Sequence, residues 1–171
     1  AVSGNYLVGG FIGSVEDLEQ ETTMISFEDC VNHGTVTGSG FGIGGFVGGM
    51  INNTDLTMTI SNSINNGILN GSSSDIGGFV GVVFSNTNIS TAISNSINNG
   101  YSTVNGQYAG GFVGSVSTST DVKMAISSST NNGNITGIIN AGGFVGDCVR
   151  LENATVTISN SINNGIIIGS I

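Results

Sequence analysis

The chain has 171 residues, enough for one domain and its core, and is 38% hydrophobic but only 8% charged, a balance that argues against disorder. Its net charge is −9 with Lys123 and Arg150 as the only basic side chains, which excludes the basic footprint of a nucleic-acid or anionic-lipid binder. No apolar run approaches the roughly 20 residues of a membrane-spanning helix, so no such segment is expected in this piece.

Polarity comes instead from 22 Asn, 23 Ser and 16 Thr, together with 29 Gly. Ile, Val and Thr total 53, against five Leu, six Ala, five Glu, one Lys and one Arg. Residues branched at Cβ favour strands, and the strong helix formers are scarce.

In chain order, the first recurring word is GGFIG at 9–13, followed by GGFVG at 44–48, 77–81, 110–114 and 142–146. The first glycines are 35, 33, 33 and 32 residues apart. A second word follows each: CVNHG at 30–34, SINNG at 63–67 and 96–100, STNNG at 129–133 and SINNG at 161–165. The first glycine pair is 25 residues from its partner word and the other four are 23, the two extra residues falling in Glu16–Glu21. Five repeats therefore fill the chain, at about 9–43, 44–76, 77–109, 110–141 and 142–171. Thirty-three is also the ankyrin period, but no window has the 3.6-residue periodicity of that helical repeat.

Each repeat reads as three short strands: GGFVG and the two residues after it, the segment Thr57–Ser63 and its equivalents, and the residues after NNG. In the second strand Met58, Thr91, Met124 and Val156 alternate with outward residues and share the inward face with Ile60, Ile93, Ile126 and Ile158. About eleven residues a side makes a three-sided coil that buries its inner face only by stacking on copies of itself. The fold expected is all-β, a parallel β-solenoid (β-helix) of five coils. Right-handed winding is the expectation from parallel crossovers. Phe11, Phe46, Phe79, Phe112 and Phe144 form one ladder through the core. Asn32, Asn65, Asn98, Asn131 and Asn163 form another at a corner, where Asn tolerates left-handed turns and stacked amides bond along the axis. A sugar-binding stripe is the alternative reading of these asparagines. The glycines beside Phe belong where no Cβ fits or φ is positive.

The recurring Gly-Gly-Phe-Val-Gly with an upstream Asn-Gly-x-Ile-x-Gly resembles the GLUG-type repeat, over essentially the whole chain. That family is found in large secreted or surface-anchored proteins and as an accessory region of some IgA-cleaving metallopeptidases. The resemblance implies a stalk, adhesive or spacer role. It carries over no catalysis, because the peptidase zinc motif His-Glu-x-x-His needs two histidines and this chain has only His33.

No catalytic, cofactor-binding or metal-binding residue is assigned. Outside the first repeat the acids Asp55, Asp75, Asp121, Asp147 and Glu152 sit at unrelated repeat positions. Glu16, Asp17, Glu19 and Glu21 have the hard oxygens of a calcium site, but a solvated loop is the favoured reading. His33, in place of the second Asn of NNG, reads as a turn variant. Cys30, at the Ser63 position, and Cys148 lie about four coils apart, beyond disulfide reach, and are expected as thiols. Sequons at Asn52, Asn70, Asn88, Asn134 and Asn153 are candidate glycosylation sites. A flat ice-binding face of regular Thr is broken by Ala92, Ala125 and Lys123.

The expected function is a non-enzymatic extracellular or cell-surface structural and adhesive segment, part of a longer repeat array, with no cofactor. Its partners would be adjacent repeats or copies of itself, in end-to-end or lateral assembly, and host or matrix glycans or proteins. The alternative is a carbohydrate- or protein-binding accessory module of a secreted enzyme.

Overall fold

The computed structural model describes residues 1–18, 22–72, 75–104 and 107–169. They form a parallel β-solenoid, all β, in which every strand pairs with its equivalents about 33 residues away. The three expected strands are present as Val47–Ile51, Leu56–Ser61 and Leu69–Gly71 in one turn of the coil. Two short strands are added at the corners, Ile43–Gly44 and Ile64–Asn65. Each turn thus contributes to five rows of strands.

The first row holds Val2–Gly4, Val36–Gly38, Leu69–Gly71 and Ser102–Val104. It continues in Ile135–Gly137 and Ile167–Gly169, and Ser102 N–H donates to Asn134 O across the division between the two sheets. Counted from this row, coils 1 to 5 begin at Val2, Val36, Leu69, Ser102 and Ile135, and Ile167 begins a further turn.

The core follows from alternation. Val36, Val47, Met50, Leu56, Met58 and Ile60 are all fully buried in coil 2. The Phe rings stack along the axis with centroids 4.8, 4.7, 4.8 and 5.2 Å apart from Phe11 to Phe144, the spacing of the coils themselves. Full burial of each central ring contributes about 2–3 kcal/mol. Beside this ladder Ile60, Ile93, Ile126 and Ile158 pair in register, and coil 1 puts Phe27 in that row.

The repeated glycines are explained by close approach and not by left-handed backbone, since the only glycine with positive φ is Gly42, among the described residues. A Cβ on Gly44 would lie 1.9 Å from Val47 O, and one on Gly45 2.1 Å from Gly78 O and 2.6 Å from the Asn65 amide oxygen. The two repeated words therefore touch: GG makes room for the buried Asn of NNG. The left-handed corners are occupied by other residues. One set is Asp17, Asn52, Ser85, Thr118 and Arg150, and another is Asp29, Asn62, Asn95, Ser128 and Asn160, all with φ of 48–57°. The ladder asparagines are not among them, which corrects the expectation that they take the left-handed turn: the turn falls three residues earlier, and Asn65 itself is extended within Ile64–Asn65.

Candidate functional site

The polar residues sort into axial ladders. Asn32 Nδ2 donates to Asn65 Oδ1 and Asn65 Nδ2 to Asn98 Oδ1, each at 2.8 Å. The series runs on from Asn98 to Asn131 at 2.8 Å and from Asn131 to Asn163 at 2.7 Å. Asn32, Asn65, Asn98 and Asn131 are buried. They face the core side of the corner, so the sugar-stripe reading of this row is ruled out. The next residue in each coil makes a second, exposed ladder that donates the other way: Asn99 to Asn66 and Asn132 to Asn99 at 2.8 Å, and Asn164 to Asn132 at 2.9 Å. His33 ends it, with Nδ1 3.4 Å from Asn66 Nδ2.

Two more buried ladders run along the axis, one of them on the residue that opens the second repeated word. Ser63, Ser96 and Ser129 each donate to the carbonyl two residues earlier and accept the backbone N–H of the coil before. Cys30 holds that place in coil 1, its thiol 3.3 Å from Glu28 O. At another corner Asn53 Nδ2 donates to Val15 O and Asn86 Oδ1, and Asn86 Nδ2 to Met50 O and Phe84 O, with Ser119 next. The signal available was their 33-residue spacing, hidden by the change from Asn to Ser.

Carboxylates are dispersed. Asp75 is 3% exposed and accepts the Ser115 hydroxyl, and Asn140 Nδ2 donates to Asp147 at 2.8 Å. Glu16 and Asp17 are exposed, and Glu19 and Glu21 lie outside the described residues. Among the described residues no three His, Cys, Asp or Glu side chains stand close enough to hold a metal ion, and no helix is long and apolar enough to cross a membrane.

Both cysteines are free, Cys30 half-buried and Cys148 exposed at one edge. Loss of part of its water shell, and then the neighbouring Asp147 carboxylate, push the Cys148 thiol up, away from the reactive thiolate. Of the sequon asparagines, Asn52, Asn88, Asn134 and Asn153 are exposed and Asn70 is half-buried. Asn88 donates to Asp55, Asn153 to Asp121, and Asn134 Oδ1 accepts Ile166 N–H at 2.9 Å.

On the longest strands Ser90 and Ala92 stand beside Lys123 and Ala125 on the outward face. A shallow depression of about 260 Å³ opens there, bordered by Ser90, Ala92, Lys123, Ala125, Thr155 and Thr157. A second, of about 190 Å³, shares Lys123 and Thr155 and adds Asn88, Asp121 and Asn153.

Fold and ladders together define a β-solenoid repeat protein. Comparison with protein-family models, curated proteins and solved structures gave no match.

Proposed function

We propose that this chain is a non-enzymatic structural segment, a stiff stalk or fibre unit at a cell surface or outside the cell. The observation that carries this reading is the continuity of the interior: one aromatic ladder and one amide ladder each pass unbroken through all five coils. Bending the rod opens both ladders at once, and every coil resists in the same way. Five coils give a rod about 24 Å long at about 4.8 Å a coil. The resemblance of GGFVG and its partner word to the GLUG-type repeat supports a surface location and a spacer or adhesive role.

A second reading, a carbohydrate-binding accessory module, draws on the depression over Ala92 and Ala125, whose rim of hydroxyls and Lys123 suits a sugar. Electron microscopy of the protein in its native setting, followed by a glycan array, separates the two. Straight rods with an axial repeat of about 4.8 Å and no glycan signal are expected. Discrete particles that bind a glycan, with binding lost in Lys123→Ala, would replace the structural reading with the second.

A further inference from the structure

The exposed amide ladder is built on a chemically fragile dipeptide. Asn66, Asn99 and Asn132 are each followed by glycine, at Gly67, Gly100 and Gly133. Asparagine is thermolabile, and a glycine after it has no side chain to shield the peptide nitrogen that attacks the amide. The glycine is obligatory here: a Cβ on Gly100 would lie 2.1 Å from Gly67 O, and one on Gly133 1.9 Å from Gly100 O. Stacking therefore places the fragile pair at the same corner of successive coils.

The stack also holds both reacting groups. Each of these asparagines is exposed and each glycine buried. On the amide side, Asn99 Nδ2 donates to Asn66 Oδ1 while Asn99 Oδ1 accepts Asn132 Nδ2, so the side chain is tied to the coils above and below. On the glycine side, Gly67 N–H donates to Asn65 Oδ1 at 3.2 Å, Gly100 N–H to Asn65 O at 3.0 Å and Gly133 N–H to Asn98 O at 3.2 Å. The inner ladder closes the clamp, with Asn98 Nδ2 donating to Gly100 O at 3.1 Å and Asn131 Nδ2 to Gly133 O at 3.0 Å. The nitrogen that must attack is thus a buried, bonded donor, and the carbon it must reach belongs to an amide bonded elsewhere, so the near-attack arrangement is withheld.

We propose that these three corners are latent modification sites, inert in the stacked solenoid and converted to isoaspartate once a coil opens, so that an opened coil cannot close again. In the open coil the glycine nitrogen gives its proton to solvent and bonds to the asparagine Cγ, the Cγ–Nδ2 bond breaks, and ammonia leaves. Water then opens the succinimide at either carbonyl, giving aspartate or isoaspartate with no change of oxidation state. Aspartate keeps the backbone and is tolerated on the exposed ladder. Isoaspartate carries the main chain through the side-chain carbonyl and adds one backbone atom at the corner. In coil 3 that atom falls between Asn99 N–H and Gly100 N–H, which both donate to Asn65 O, at 2.8 and 3.0 Å. A lengthened backbone cannot make both bonds. The device works the same way in a stalk or in a binding module.

Peptide mapping by mass spectrometry tests it on the 171-residue chain held in mildly alkaline buffer, folded or unfolded in urea, with hydroxylamine cleavage marking the succinimide. Asn66, Asn99 and Asn132 are expected to convert at least about tenfold more slowly in the folded chain, as rare opening implies. After dilution from urea, the fraction that regains the native β spectrum and sedimentation is expected to lack isoaspartate at these positions, and the fraction that fails to carry it. A brief exposure to urea, too short for conversion, is the reference for refolding. Freshly prepared Asn99→Asp is expected to refold as the native chain does, which assigns the block to the added backbone atom. Conversion as fast folded as unfolded overturns the proposal, by showing that stacking gives no protection. Isoaspartate spread equally between the refolded and unrefolded fractions overturns it too, as does failure of Asn99→Asp to refold, which would place the block in the charge.

Discussion

Asn98 and Asn99 are neighbours of identical chemistry that the coil uses in opposite ways. Asn98 is fully buried; its amide donates to Asn131 and Gly100 O and accepts from Asn65. Asn99 faces water and donates to Asn66, in a ladder running the other way. The same hydrogen bond has different consequences in the two places. Outside, water replaces a lost partner; inside, nothing does, so each missing rung leaves a desolvated amide. The inner ladder is therefore the one that sets stability and register.

The widest separation of the two ladders is expected from a charge. Asn98→Asp places an unpaired carboxylate in the core and destabilises by about 3–5 kcal/mol near neutral pH, read as a shift in denaturant midpoint. Burial raises the folded-state pKa of the new acid above the roughly 3.9 of the unfolded chain, so the deficit relative to the native chain narrows as pH falls from neutral towards about 4 and is constant below that. Asn99→Asp shows neither effect. Asn98→Ala comes next, at about 2–4 kcal/mol, because Asn65 and Asn131 both lose a partner.

A third change has the opposite sign. Thr91 stands at 1% exposure in the row of Met58 and Met124, and its hydroxyl is a buried group with no partner. Thr91→Val keeps the shape, removes the orphan and stabilises by about 1 kcal/mol. Asn99→Ala is expected to stay within about 0.5 kcal/mol, and a larger loss would show that the outer ladder bears load too. The smallest effect is chemical: Asp147→Asn removes the lesser of the two causes that raise the Cys148 thiol and gives modestly faster alkylation at neutral pH, with no change in stability.

Much of the inner architecture was legible because stacking forces repetition. A row that must interdigitate with itself repeats its letter, so Phe46, Phe79 and Phe112, or Ile60, Ile93 and Ile126, announce themselves by spacing. Where different side chains satisfy one geometric need, the signal fades. Asn53, Asn86 and Ser119 share a row because amide and hydroxyl both reach the neighbouring N–H, and Phe27 replaces Ile in coil 1. The corner strands such as Ile64–Asn65 are two residues long, too short for alternation to register. Left-handed corners were hidden as well, since Asp, Asn, Ser, Thr and Arg all fill them. No candidate site was legible beyond the ladders because the depressions on the broad face arise from the heights of Ala92 and Ala125 against Lys123, a relief that exists only once three coils are stacked.

The in-register pairing of equivalent strands has a consequence for how such a protein changes over generations. A duplicated or lost stretch of gene encoding one repeat of about 33 residues inserts or removes a whole storey without creating a new kind of contact, because each storey meets only copies of its own floor and ceiling. Unequal recombination between near-identical repeats then adjusts reach in steps of about 4.8 Å. A one-residue change within a strand would instead turn its inward side chains outward, whereas one between strands is absorbed, as in the 32-residue step that still pairs Ile126 with Ile158. The molecule is a ruler whose graduations are heritable.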